Sequence, residues 1–270
     1  MDYDFYKSMY SDLKYFSNIE LDRHYQKYGK DEGRICNEND FNTKKKILVK
    51  KLIKSTILLD NFEFNSPEKQ INILIRTSNR PTLFKTNLTS IKNQNYKNYK
   101  IYISFEDEQT LSYILKYIKN LNNVEILRVN MDINSHINNY SYNDYCNRLL
   151  AKVSDGYVIF LDDDDCFTHK NCLKVINENI EEDNILFWSY LRADKIIYPI
   201  KKNIQIGDMV SCGFCHHISL ESKWPRKRNG DFYYINNILK NNIEFKKIKL
   251  ILTRRINLKR ISGMGEKKDF

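Results

Sequence analysis

The sequence predicts an α/β fold: a mostly parallel sheet flanked by helices, with a small α-helical appendage at the N-terminus. Three observations predict it. From Ile71 onward, short apolar runs alternate with segments of helical periodicity. The apolar run Tyr157 to Leu161 ends abruptly in four aspartates, Asp162 to Asp165. The first 40 or so residues carry a different, aromatic-rich pattern.

Residues 1–40 read as a unit of their own. Tyr3, Phe5, Tyr6, Tyr10 and Leu13 make an aromatic-rich opening segment. Leu21, Tyr25 and Tyr28 then recur at helical spacing, and Gly29 and Gly33 supply stops. His24 reads as a packing or capping residue. Residues 41–66 form a basic, apolar connector helix with a stripe through Ile47, Leu48, Lys51, Leu52, Ser55 and Leu58-Leu59. A basic amphipathic helix can lie on a membrane surface; packing on the neighbouring domain is the preferred reading. The third domain spans 67–270.

There, Ile71 to Arg76 is the first strand, and Pro81 opens a helix through Leu83, Phe84, Leu88 and Ile91, where proline is tolerated. Lys100 to Phe105 is the second strand, followed by a helical face through Leu111, Ile114, Leu115 and Ile118. Val124 to Val129 is the third. Tyr145, Leu149, Leu150 and Val153 fit a helix, and Gly156 to Leu161 is the fourth strand. Such alternation implies parallel strands with right-handed crossovers. Open sheets of this kind bind ligands at the carboxyl ends of their strands, and the four aspartates fall at one such end.

Composition narrows the function classes. The chain has 270 residues, 41% of them hydrophobic and 29% charged, enough for one large domain with an appendage. The formal net charge of +10 admits a nucleic acid, a membrane surface or an anionic small substrate. The N-terminus Met1-Asp2-Tyr3-Asp4 has no apolar signal region, and no window reaches the length of a membrane span. Six cysteines without a secretory signal suggest reduced thiols, so a cytoplasmic protein is expected.

The aspartate run carries the chemistry. Two unit charges ~5 Å apart repel by roughly 3 kcal/mol at an effective dielectric near 20. Four at the end of a buried strand need positive relief, and a hard divalent cation held by oxygen is the usual one. If the backbone stays extended, Asp162 and Asp164 face one ion together while Asp163 and Asp165 point away.

The surrounding motifs form a linked set. Arg76-Thr77-Ser78-Asn79-Arg80-Pro81 follows the first strand, Glu106-Asp107 the second, and Asn147 lies fifteen positions before Asp162. This order resembles glycosyltransferases of the large family 2, with a GT-A (Rossmann-like) fold, over about residues 70–250. The resemblance implies a nucleotide-sugar donor, a UDP-sugar, and Mn²⁺ or Mg²⁺. It places Thr77 and Arg80 by the nucleotide and Glu106 or Asp107 at the base and ribose. Asn147 and Arg148 would order the donor pocket. Asp162 and Asp164 would form the DxD pair at ribose and metal, with Asp163 beside the donor and Asp165 as a further ligand. The second strand ends Glu106-Asp107-Glu108-Gln109-Thr110 where the family carries "DDGS". In the second half, Trp224 and Gly230-Asp231-Phe232 look like the family's "W…GGDF" segment, whose Asp is the general base. An inverting transfer needs one carboxylate to take the proton of the incoming hydroxyl, glycan, protein or lipid, and a metal to stabilise the leaving diphosphate. Asp231 at a helix start could also be a cap.

Other readings use the same residues. Cys212-x-x-Cys215-His216 matches haem attachment, but no export signal accompanies it. Cys215, His216 and His217 are adjacent and cannot converge on zinc; core or acceptor-loop positions fit better. An EF-hand fails, since counting from Asp162 places Phe167 and Leu173 where Gly and Glu are needed. A haloacid-dehalogenase-like phosphatase would want Thr or Val where Cys166 stands. Arg226-Lys227-Arg228, Arg254-Arg255, Lys259-Arg260 and Lys267-Lys268 could track nucleic-acid phosphates, without a zinc-finger or RNP-like motif in support.

Overall fold

The structure is a computed structural model that describes residues 1–10, 13–30, 34–129, 142–192, 195–197 and 205–256. Lys259-Arg260 and Lys267-Lys268 lie outside the described residues. The chain divides into two compact units, residues 1–54 and 55–270. The division falls inside one long helix.

The first unit holds helix α1 (Tyr3–Met9), helix α2 (Asn18–His24) continued by one π-helical turn to Gly29, and the start of helix α3 (Glu38–Asp60). Asp2 caps α1 through the Phe5 amide. Ser17 and Glu20 close a capping box on α2. Tyr6, Tyr10, Leu13 and Leu21 form the unit's core. Tyr10 Oη accepts a hydrogen bond from the Ile35 amide at 2.7 Å, which closes the unit on itself. His24 packs among Tyr6, Phe16 and Tyr28, with Nδ1 at 3.2 Å from Tyr6 Oη.

In the second unit the chain runs β1 (Ile71–Arg76), α4 (Pro81–Lys92), β2 (Tyr99–Phe105), α5 (Glu108–Ile118), β3 (Val124–Arg128), α6 (Tyr142–Leu150), β4 (Tyr157–Phe160) and β5 (Asp165–Phe167). It continues with α7 (Cys172–Asn179), β6 (Asn184–Arg192), β7 (Lys195–Ile197), β8 (Phe214–His217), α8 (Gly230–Leu239) and β9 (Glu244–Arg255). The described strands form one mixed sheet in the order β3-β2-β1-β4-β8-β6-β9-β5, with β7 paired to β6. Strands β1 to β4 are mutually parallel, with Ile71 opposite both Tyr99 and Tyr157. Strand β8 lies antiparallel between β4 and β6, and β9 runs parallel to β6 and antiparallel to β5.

Strands β1, β2 and β4 are covered on both faces, as their largely apolar sequences require, while the edge strand β3 is half-buried. Ile73, Ile75, Ile101, Ile103, Ile159 and Leu161 enter one core with α4 and α7 residues such as Phe84 and Ile176. The alternate residues Leu74, Tyr102, Val158 and Phe160 enter a second core with Leu149, Trp224 and Tyr234. At about 25 cal/mol per Å², burying one such side chain favours folding by roughly 1.5–3 kcal/mol. Gly156, at φ +87°, turns the chain into β4; a Cβ there would sit 2.6 Å from the Gln70 carbonyl oxygen.

The order β3-β2-β1-β4 positions the site. The chain builds outward from β1 through β2 to β3, then crosses back to lay β4 on the other side of β1. That reversal leaves a crevice beyond the carboxyl ends of β1 and β4. Residues 76–80 and 162–165 lie at those two strand ends.

Candidate active site

The acidic run does not stay extended. After β4 the Leu161 amide still donates to Leu74 O, and then the chain turns, with the Asp165 amide donating to Asp162 O at 2.8 Å. Asn87, buried on α4, fixes the turn: its Nδ2 lies within 3.1 Å of the carbonyl oxygens of Leu161, Asp162 and Asp165. The turn changes the side-chain distribution from strict alternation. Carboxylate oxygens of Asp162, Asp164 and Asp165 converge within 4.8 Å of one another, while Asp163 points into the protein.

Each carboxylate has its own counter-charge or donor. Arg76 forks onto Asp162, with Nε 2.7 Å from Oδ1 and Nη2 on Oδ2. Asp163 is fully buried and takes Thr77 Oγ1 at 2.7 Å and the Arg80 guanidinium, through Nε at 3.1 Å and Nη2. Asp164 receives Arg255 Nη2 at 2.9 Å, with Arg80 Nη1 at 3.8 Å. Asp165 accepts from Tyr190 Oη at 2.9 Å, from the middle of the sheet. Burial pushes the Asp163 carboxyl up to about 7, against the pull of Arg80. Burial also raises Asp165, helped by the charges of Asp164 and Asp162. Burial works against the Arg76 charge, but Asp162 prevails and holds its pKa well above the ordinary value.

Three converging carboxylates are a hard-oxygen donor set of the kind Mg²⁺ or Mn²⁺ takes. Asp162, Asp164 and Asp165 are therefore the residues that fit a divalent cation. Thr77 and Arg80, expected beside the nucleotide, hold Asp163 in place.

Asp107 caps α5, with Oδ1 accepting from the Thr110 amide at 2.7 Å. Its Oδ2 accepts from Asn79 Nδ2 at 3.1 Å, and Asn79 itself sits at φ 52° between β1 and α4. Asp107 thus caps α5 with one oxygen and ties the first and second strand ends together with the other. Glu106, half-buried, stands beside it at the end of β2.

Asn147 on α6 exchanges two hydrogen bonds with the backbone of Trp224, donating to its carbonyl at 2.9 Å and accepting from its amide at 2.8 Å. Trp224 in turn stacks on Tyr234 with ring centres 5.0 Å apart and lies under the Arg76 guanidinium at 5.8 Å. Arg148, the next residue, is exposed.

Asp231 lies in the first turn of α8, one residue after Gly230, and its Oδ1 accepts from the Phe232 amide at 2.9 Å. The N-cap position belongs to Asn229, in a left-handed conformation. Burial raises the Asp231 carboxyl, the Phe232 amide and Arg76 oppose that, and Asp162 adds to it. Asp231 therefore shares one electrostatic environment with Arg76 and Asp162. Gly230 is required by a close approach: a Cβ would fall 2.5 Å from Asn143 Nδ2, which donates to the Pro225 and Lys227 carbonyls.

Two arginines of the site are not marked as site residues by their motifs. Arg76 closes the first strand. Arg255, grouped in sequence with a basic tail, ends β9 directly opposite Asp165 in register and is buried. Only its position after the apolar stretch Leu250-Ile251-Leu252 marks it as strand. Cys212 and Cys215 are buried thiols of the core outside any disulfide, and His216 is buried between the His217 carbonyl and Tyr234 Oη. Among the described residues, no helix is long and apolar enough to cross a membrane.

The family model "Glycosyl transferase family 2" matches residues 72–256. No curated protein sequence matches the chain. Among solved structures, residues 1–349 of TarS from S. aureus superpose with a TM-score of 0.56 at 16% identity, over 69% of this chain and 60% of that one. TarS 1–349 in complex with UDP gives a TM-score of 0.55 at 16% identity, over 68% and 60%. The mannosyltransferase PcManGT from Pyrobaculum calidifontis, in complex with GDP-Man and Mn²⁺, gives 0.53 at 10% identity, over 80% and 68%. At these identities the likeness is one of fold. The chain spans about 60% of the length of the TarS structure.

Proposed function

The chain belongs to glycosyl transferase family 2, and from that premise we propose that it transfers a sugar from a UDP-sugar to an acceptor hydroxyl with inversion at the anomeric carbon. The observation that carries this reading is the convergence of Asp162, Asp164 and Asp165 beyond the carboxyl ends of β1 and β4, with Asp231 within reach of the Arg76 and Asp162 charges. TarS structures hold UDP and UDP-GlcNAc, which favours uridine over the guanosine donor of the mannosyltransferase.

Asp162, Asp164 and Asp165 would hold Mn²⁺ or Mg²⁺. When bound, such an ion neutralises charge on the departing diphosphate. The chain's own residues do the rest. Arg76, Arg80 and Arg255 surround the carboxylates and offer further N–H donors to phosphate oxygens, to which a planar guanidinium is well matched. Thr77 and Asn79 hold the turn above β1, and Glu106 at the end of β2 takes the base and ribose side. Asn147 acts through Trp224, keeping its ring under Arg76. Asp231 accepts the proton of the acceptor hydroxyl as that oxygen attacks the anomeric carbon and the bond to the diphosphate breaks. Its raised pKa makes it a stronger base than an exposed carboxylate.

The test is a panel of nucleotide sugars with Mn²⁺, read as released nucleoside diphosphate, for the wild type and Asp164→Ala. Release from one UDP-sugar, lost in the variant, is expected. Absence of both turnover and UDP–Mn²⁺ binding would defeat the proposal. Product stereochemistry by NMR would decide inversion.

A further inference from the structure

Helix α3 carries a feature that the transferase reading does not use. From Lys44 to Leu59 the sequence has six lysines and no acidic residue. At 3.6 residues per turn, Leu48, Leu52, Ser55 and Leu59 share one side. Ser55 and Leu59 are buried, and Ser55 Oγ accepts from the Ile251 amide at 2.9 Å. The other side is not purely polar. Val49, Ile53 and Ile57 alternate with Lys46, Lys50 and Lys54 across a sector of roughly 140°, with Ile47 and Leu58 on its flank. These five aliphatic side chains are each 47% to 55% exposed.

We infer that this face of α3 is a docking surface for an anionic phospholipid bilayer, on which the helix lies flat. Charge complementarity selects the partner. A second copy of the chain would bring lysine face against lysine face. A nucleic acid would pair with the lysines and leave the exposed isoleucines in contact with phosphate and water. A bilayer interface satisfies both kinds of residue: aliphatic side chains enter the acyl boundary while lysine stems extend to the headgroups. Each lysine near an anionic leaflet adds about 1 kcal/mol. At 23 residues and a mean hydropathy lowered by lysine, α3 lies on a membrane and does not span it.

The experiment is flotation of the full chain with vesicles of phosphatidylcholine alone and with added phosphatidylglycerol. Binding is expected to the anionic vesicles only and to fall with salt. The triple variant Lys46→Glu, Lys50→Glu, Lys54→Glu should lose binding by roughly tenfold or more. Ile53→Glu should weaken it as well. Ile53→Trp supplies an insertion reporter, because Trp188 and Trp224 are buried; its emission should shift to the blue on adding anionic vesicles. All substituted positions are exposed, and circular dichroism verifies that the fold survives. Failure to float with anionic vesicles overturns the inference, as does flotation indifferent to the lysine changes. Flotation of the Ile53→Trp variant without a shift in its indole emission, or equal lysine-dependent binding to random duplex DNA, would show charge attraction alone and overturns it too.

Discussion

Asn147 and Trp224 hold each other by a reciprocal pair of hydrogen bonds, side-chain amide to backbone, at 2.9 and 2.8 Å. The pair joins α6 to the segment that leads into α8, and it sets the indole under Arg76, which grips Asp162. Replacing Asn147 by Ala leaves two backbone groups of Trp224 unpaired in a half-buried setting. Stability should fall by about 1–3 kcal/mol, measured by denaturant unfolding. Affinity for UDP should fall with it, since Arg76 loses its platform. Unchanged UDP affinity in a destabilised Asn147→Ala would reduce the residue to a structural role.

Asp164, at the mouth of the cluster beside Arg255 and Arg80, is less buried than Asp163 and Asp165, and its replacement by Asn keeps the side chain's shape. The fold should survive, as judged by near-UV circular dichroism. Mn²⁺ binding by calorimetry should weaken by more than the roughly 10–100-fold that loss of an outer-shell partner costs. Retained Mn²⁺ affinity would show that the ion, if bound, is held elsewhere.

Asp231→Asn removes the proposed proton acceptor and keeps the shape of the first turn of α8. A decrease in kcat of roughly 10²–10⁴-fold is expected, with UDP binding unaltered. A variant that retains wild-type kcat would remove Asp231 from the chemistry.

His216 predicts how stability depends on acid. The His217 carbonyl only accepts, so Nδ1 carries the proton and Nε2 accepts from Tyr234 Oη, at 2.7 and 2.9 Å. Burial holds the folded pKa down to about 4, from 6.5. Below pH 6.5 the unfolded chain binds a proton that the folded chain does not. Stability from this group is therefore full above pH 6.5 and is lost progressively as pH falls to about 4, by roughly 3 kcal/mol in all. His216→Gln should flatten that part of the curve of unfolding free energy against pH. An equally steep curve in the variant would point to other groups.

The half of the fold legible in sequence is the half built from local pattern. Strands β1 to β4 are apolar runs bounded by helical periodicity, and their observed bounds lie within one residue of the expected ones at each start. Strands β5 to β9 were not legible. In β9 the sequence Glu244 to Lys249 carries three exposed lysines, which read as surface although Phe245 and Ile248 pack half-buried against the cores, and full burial comes only with Ile251 and Leu252. β6 is an apolar run that pairs with the adjacent β7, but its other partners, β8 and β9, lie far on in sequence. The site divides the same way. The aspartates announce themselves by charge density, whereas Arg255 becomes their partner only because β9 pairs with β5. The turn that brings Asp165 to Asp162 and Asp164 depends on Asn87, which is silent in any local pattern.

Strand β9 has a consequence for how the protein comes into being. It is the last described strand in sequence, yet it lies between β6 and β5, so the sheet has a gap until the chain has been made through residue 255. A ribosome-bound chain ending before β9 would display two open strand edges, with the risk of intermolecular pairing that such edges bring. It would also hold Asp164 without Arg255. Completion of the acidic turn is thus a late event in biosynthesis, and the transferase activity proposed above should emerge only once β9 closes the gap.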